Sequence, residues 1–140
     1  MSGMKKATLL ELSRGKLSDA KLLAGAGRHA SAYYLAGYSV ELALKAVIST
    51  KFEADTFPDP TFVRSIYNHD LQRLLALTGL DKVFETACKI APDLDANWEY
   101  IRAWSVDARY ALQDAEMAAN LIAAIEDETN GFMSWLISYL

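Results

Sequence analysis

Apolar residues recur along nearly the whole of this chain at the three- and four-residue spacing of a helix face, while the two-residue alternation of strands is scarce. That pattern restricts the chain to packed helices. Residues 5–24 carry Leu9, Leu10, Leu12, Leu17, Leu22 and Leu23 at spacings that suit one helix, with Gly15 as the place for any bend. "GAG" at 25–27 closes it, and a second helix runs from about 28 to 50. Residues 51–68, KFEADTFPDPTFVRSIYN, hold two prolines and several turn formers, so they read as a long connection with at most a short helix. Asp70 or Asn68 is placed to cap a short helix over LQRLLALTGL, stopped by Gly79, and residues 81–90 add another turn or two before Pro92. The spacing predicts one long amphipathic helix over 93–113, then a helix capped by Asp114. Asn130 and Gly131 separate that helix from a closing FMSWLISYL. The expectation is all-α: a single domain over 1–140, built as an antiparallel up-and-down four-helix bundle with extra short helices.

Charge and cysteine content narrow the function classes. A net charge of −4 lacks the basic field expected of a protein that binds duplex DNA non-specifically, although Lys5, Lys6, Arg14 and Lys16 cluster locally. One cysteine, Cys88, permits no internal disulfide and suits a reducing compartment. With only His29 and His69 beside it, no Cys/His zinc cluster can be assembled, and no metal or cofactor is expected. The first twenty residues do not read as a signal peptide, and the apolar stretch 30–50 is broken by Glu41 and Lys45. A cytoplasmic, soluble protein without membrane attachment is expected. "GAG" lacks the Lys-Ser/Thr ending and the preceding strand of a phosphate loop.

Two helical stripes carry the polar chemistry. At 100° per residue, Tyr34, Tyr38, Glu41 and Lys45 fall within about 60° of the second helix's circumference, beside an apolar wall of Tyr33, Val40, Leu44 and Val47. Glu41 and Lys45 form an i,i+4 pair in the favourable order. Such a seam is either a solvent face or subunit rim, or the lining of a groove for a polar ligand. On the helix expected at 93–113, Trp98, Arg102, Ser105 and Arg109 share a second stripe with Tyr110 beside it. Two guanidiniums near aromatic rings suit phosphate contact and base stacking, or else Arg stems lying on Trp faces with their heads paired to Glu99, Asp107 or Glu41.

Taken in order, GRHASAYYLAGYSVELALKAVI (27–48), NHDLQRLL (68–75), NWEYIRAWSVDARY (97–110) and GFMSWLI (131–137) resemble the HEPN domain (higher eukaryotes and prokaryotes nucleotide-binding). The resemblance covers roughly residues 15–137. It implies a helical bundle that dimerises through its long helices. Members of that family act as metal-independent RNases, as nucleotide- or RNA-binding modules, or as partners of small nucleotidyltransferases in toxin–antitoxin-like pairs. The RNases carry an Arg-x(4–6)-His motif near the start of a late helix. Here RSIYNH supplies Arg64 and His69 at that spacing, with an Arg to hold phosphate and a His to move a proton at the ribose 2′-hydroxyl. The position differs, because the family's motif would fall where this chain has WSVDARY. The first expectation is therefore a homodimeric nucleotide- or RNA-binding module, acting beside a separate nucleotidyltransferase and binding through Tyr38, Glu41, Lys45, Arg102, Arg109 and Tyr110. A metal-independent RNase using Arg64 and His69, with Glu41 or Lys45 organising the site, is the alternative, and a purely structural dimeric protein is the third.

Overall fold

The structure is a computed structural model that describes residues 4–52 and 54–140, with Arg109 described through its backbone alone. Among these residues the chain is helical without strands. Its α-helices are α1 (Lys6–Gly25), α2 (His29–Ile48), α3 (Pro60–Ser65), α4 (Leu71–Leu77), α5 (Asp81–Ile90), α6 (Pro92–Arg102), α7 (Ala115–Glu126) and α8 (Phe132–Ile137). Single 3-10 turns follow α2 (Ser49–Lys51) and α6 (Val106–Tyr110). The expected bundle is present: α2 is central and packs on α1, α7, α4 and α8, while α6 packs on α7.

The α1–α2 hairpin shows how local chemistry sets the architecture. Gly27 takes φ +79°, a left-handed conformation that costs glycine nothing. The Arg28 N–H donates to Leu23 O at 2.8 Å and the Gly27 N–H to Ala24 O at 3.2 Å, the paired closure of a Schellman motif. The chain therefore reverses sharply, and α1 runs unbroken through Gly15. Small residues let the two backbones approach. Ala20, Ala32, Ala36, Ser39 and Ala43 are fully buried, and Ser13 Oγ donates across the contact to Ser39 O at 2.6 Å.

At the opposite end an aromatic cluster closes the core. Phe132 from α8 lies between Trp98 of α6 (ring centroids 4.7 Å) and Phe84 of α5 (5.5 Å), with Trp135 against Phe84 at 4.7 Å. The Trp98 indole N–H donates to Gln72 Oε1 at 3.1 Å, so the cluster's buried donor is satisfied by α4. The closing aromatic segment thus docks on its own bundle, Phe132 and Leu136 being fully buried.

One expectation needs correction. The stretch 93–113 is not a single helix: α6 ends at Arg102, Ser105 is extended (φ −140°, ψ 164°), and a 3-10 turn leads to Tyr110. The reason lies in two buried indoles. Six residues of continuous helix would set Trp98 and Trp104 about 120° apart, too far for both to face one core. Both are buried nonetheless, at 4% and 3% exposure, so the chain leaves the helix after Arg102 and swings Trp104 inward onto α2. The stripe of Trp98, Arg102, Ser105 and Arg109 is therefore not formed.

Candidate functional site

The seam on α2 is real, and it does not face solvent throughout. Glu41 is 2% exposed, although its stripe neighbours Tyr34, Tyr38 and Lys45 are only half-buried. A carboxylate in that setting requires partners. Its Oε2 accepts from Lys45 Nζ at 3.3 Å, one turn along the same helix. Its Oε1 lies 2.9 Å from Nδ1 of His69, which comes from outside the helix.

The turn before α4 places that histidine. Asp70 caps α4, its Oδ1 accepting from the Arg73 N–H at 3.1 Å. The Asn68 side chain braces the approach from both sides, Nδ2 donating to Ser65 O at 2.6 Å and Oδ1 accepting from the Asp70 N–H at 2.9 Å. His69 lies between these two residues, and its ring reaches Glu41 on α2. Of the two caps the sequence offers, Asp70 is the one used, and Asn68 braces the turn before it.

The chemistry of this contact is directional. An ionised carboxylate only accepts hydrogen bonds, so Nδ1 of His69 must be the donor. In neutral His69, Nε2 then carries the lone pair. The side chain is 55% exposed, so the imidazole is anchored at one nitrogen by a buried group while half of its surface meets water. Lys45, at 24% exposure, adds a cation one turn away. Beyond this ionic end the stripe becomes aromatic. Tyr34 lies 6.1 Å from Tyr38 and 6.0 Å from Trp104 between ring centroids. The Tyr38 phenol is pushed above its ordinary pKa by burial first, then by Glu41 and Tyr34, which sets it near the carboxylate. Trp104 Nε1 is buried without a hydrogen-bond partner among the described residues. Comparison with models of known families, with curated proteins and with solved structures gives no match.

Glu41 thus brings Lys45, Tyr38 and His69 together from two distant parts of the sequence. Arg64 sits on α3, exposed, and donates to Thr61 Oγ1 at 3.4 Å; no hydrogen bond or ion pair joins it to His69 among the described residues. Arg102 stands elsewhere, exposed and loosely paired with Glu99 at 3.5 Å. It borders a cavity of about 590 Å³ between α4, α5 and α6, together with Gln72, Cys88 and Asp95. Tyr110 is 78% exposed on the 3-10 turn after α6, and the side chain of Arg109 lies outside the described residues. The expected part of Arg109 in binding therefore lies outside the described residues.

Other chemistries find little support. The Cys88 thiol is pushed up to about 11, by burial first and then by neighbouring Asp95, so it is protonated at neutral pH. Among the described residues no group of three or more His, Cys, Asp or Glu side chains is arranged to hold a metal ion. An open groove of about 680 Å³ is lined by Lys51, Phe52, Phe57 and Phe62 and does not include Glu41, Lys45 or His69. No helix among the described residues is long and apolar enough to cross a membrane.

Proposed function

We propose that the protein is a HEPN-like module that binds a nucleotide or RNA phosphate at the His69–Lys45 edge of the α2 seam. One observation carries this reading: a carboxylate at 2% exposure holds a half-exposed histidine by Nδ1 and a partly exposed lysine by Nζ. A pair this buried is a weak source of stability, since desolvation offsets much of the attraction. It does fix the direction of the Lys45 ammonium and the His69 ring at a surface; as an imidazolium the ring donates from both nitrogens, Nδ1 to Glu41 and Nε2 to an oxyanion. In this reading the protein acts in the cytoplasm as a homodimer, beside a nucleotidyltransferase made as a separate chain.

A second reading, a metal-independent endoribonuclease, is favoured by the same contact. An imidazole anchored at Nδ1 presents Nε2 as a base toward a ribose 2′-hydroxyl, and Arg64, five residues earlier, would have to approach the phosphate. Fluorescence anisotropy with labelled RNA and nucleotides tests the first reading. His69→Ala is expected to weaken binding at least about tenfold, the scale of losing one charge-assisted hydrogen bond. No binding by the native protein, or unchanged binding by the variant, contradicts it. Incubating the native protein with RNA in EDTA separates the second: cleavage lost in His69→Ala supports an RNase, and intact RNA removes that reading.

A further inference from the structure

The open groove of about 680 Å³ takes no part in the α2 seam. Phe52, Phe57 and Phe62 line it from the segment between α2 and α4, and Ala76 and Leu77 from the end of α4. Phe52 and Phe62 rest on each other, with ring centroids 5.6 Å apart and planes tilted by 54°. Phe57 has no ring neighbour among the described residues and is wholly exposed. Its backbone is confined: Phe57 precedes Pro58, which restricts it to extended conformations. Asp59 then starts α3, its Oδ1 accepting from the Thr61 N–H at 3.1 Å, with Pro60 as the first helical residue. One exposed phenyl ring is ordinary. A ring held in water while it lines an apolar groove beside two others is a surface that a ligand can cover.

Charge chooses the ligand. Two charged side chains line the groove, Lys51 and Asp59, and Asp59 is committed to capping α3. Lys51 makes no hydrogen bond or ion pair among the described residues. Its ammonium lies beside Gly79, where an added Cβ would sit 3.1 Å from Nζ. We infer that the groove is a second binding site, for a small aromatic carboxylate whose rings lie against Phe52 and Phe57 while its carboxylate meets Lys51. Aromatic rings are favoured over an alkyl chain because ring pairs gain from tilted and edge contacts beyond the area they bury. A single ammonium, with the Asp59 carboxylate as the other charge, suits one negative charge and not a phosphate. The size agrees, since pockets for small molecules run from about 300 to 1,000 Å³ and are mostly apolar with a few polar groups.

The test titrates 2-naphthylacetate, and separately its neutral amide, into the 15N-labelled protein while 1H–15N spectra are recorded. Backbone signals of Phe52, Phe62, Leu77 and Gly79 should move, and those of Glu41 and Lys45 should stay in place. The acid should bind about two- to fivefold more tightly than the amide, the scale of an exposed ion pair, and Lys51→Met should abolish that difference. Phe57→Ala should weaken both ligands about three- to tenfold, the loss expected when one face of a phenyl ring is no longer covered. Adenosine monophosphate at the same concentration should not displace the acid. Equal affinity for acid and amide, native-like binding by Phe57→Ala, displacement by the nucleotide, or no binding at all overturns the inference. So does a native dimer that Phe57→Ala converts to monomer in sedimentation, because the groove would then hold a second copy. Failure here leaves the reading of the His69–Lys45 edge untouched, since neither residue lines the groove. Both substituted side chains are exposed, so equal melting temperatures should confirm that the variants stay folded.

Discussion

Gly37→Ala should lower the melting temperature by roughly 6–12 °C, the shift that accompanies a loss of about 2–3 kcal/mol in a domain of this size. Helix propensity alone argues for the opposite sign, because alanine in mid-helix is favoured over glycine by about 0.5–1 kcal/mol. Packing decides. A Cβ at position 37 would lie 2.3 Å from three atoms of the Trp104 indole, far inside contact distance. That ring is 3% exposed, so it cannot swing into solvent without exposing the core. Trp104→Leu in the same chain should relieve the clash, and the double variant should be more stable than the sum of the two single losses. Thermal or urea unfolding reads all three. A Gly37→Ala protein as stable as the native one would mean that the indole does not rest on α2.

The second large effect is an asymmetry within the ionic seam. Lys45→Met should destabilise by about 1–3 kcal/mol, below the 3–5 kcal/mol seen when a fully buried pair is broken, because His69 remains to partner the carboxylate. Glu41→Leu should cost less, although it removes both contacts. Glu41 is the group held away from water, whereas Lys45 and His69, at 24% and 55% exposure, can turn to solvent when it is gone. Urea unfolding of the two variants gives the order directly. The reverse order would show that the carboxylate is hydrated in solution.

Features set by neighbours in sequence were legible in the sequence. Asp70 and Asp114 cap their helices through backbone N–H groups three residues on, and the 25–27 turn is closed by bonds confined to a few residues. The stripe of Tyr34, Tyr38, Glu41 and Lys45 follows from helix geometry alone. Its burial does not, since nothing in residues 33–47 says which face meets α4. The contact between Glu41 and His69 spans 28 residues and had no local signal beyond a charge in an apolar helix and a histidine next to a cap. The end of α6 was hidden for a related reason. Periodicity continued through Gln113, and only the demand that Trp104 reach Gly37 breaks it. Arg102 was grouped with Arg109 on that uninterrupted helix, so the second stripe was lost with it.

The central claim is that buried Glu41 fixes which nitrogen of His69 carries the proton. Long-range 1H–15N correlation spectra of the imidazole, taken where the ring is neutral, measure this directly. The account requires His69 protonated at Nδ1 with a free Nε2 in the native protein, and a shift toward the Nε2–H form in Glu41→Leu. A native His69 protonated at Nε2, or a tautomer indifferent to Glu41, would contradict it.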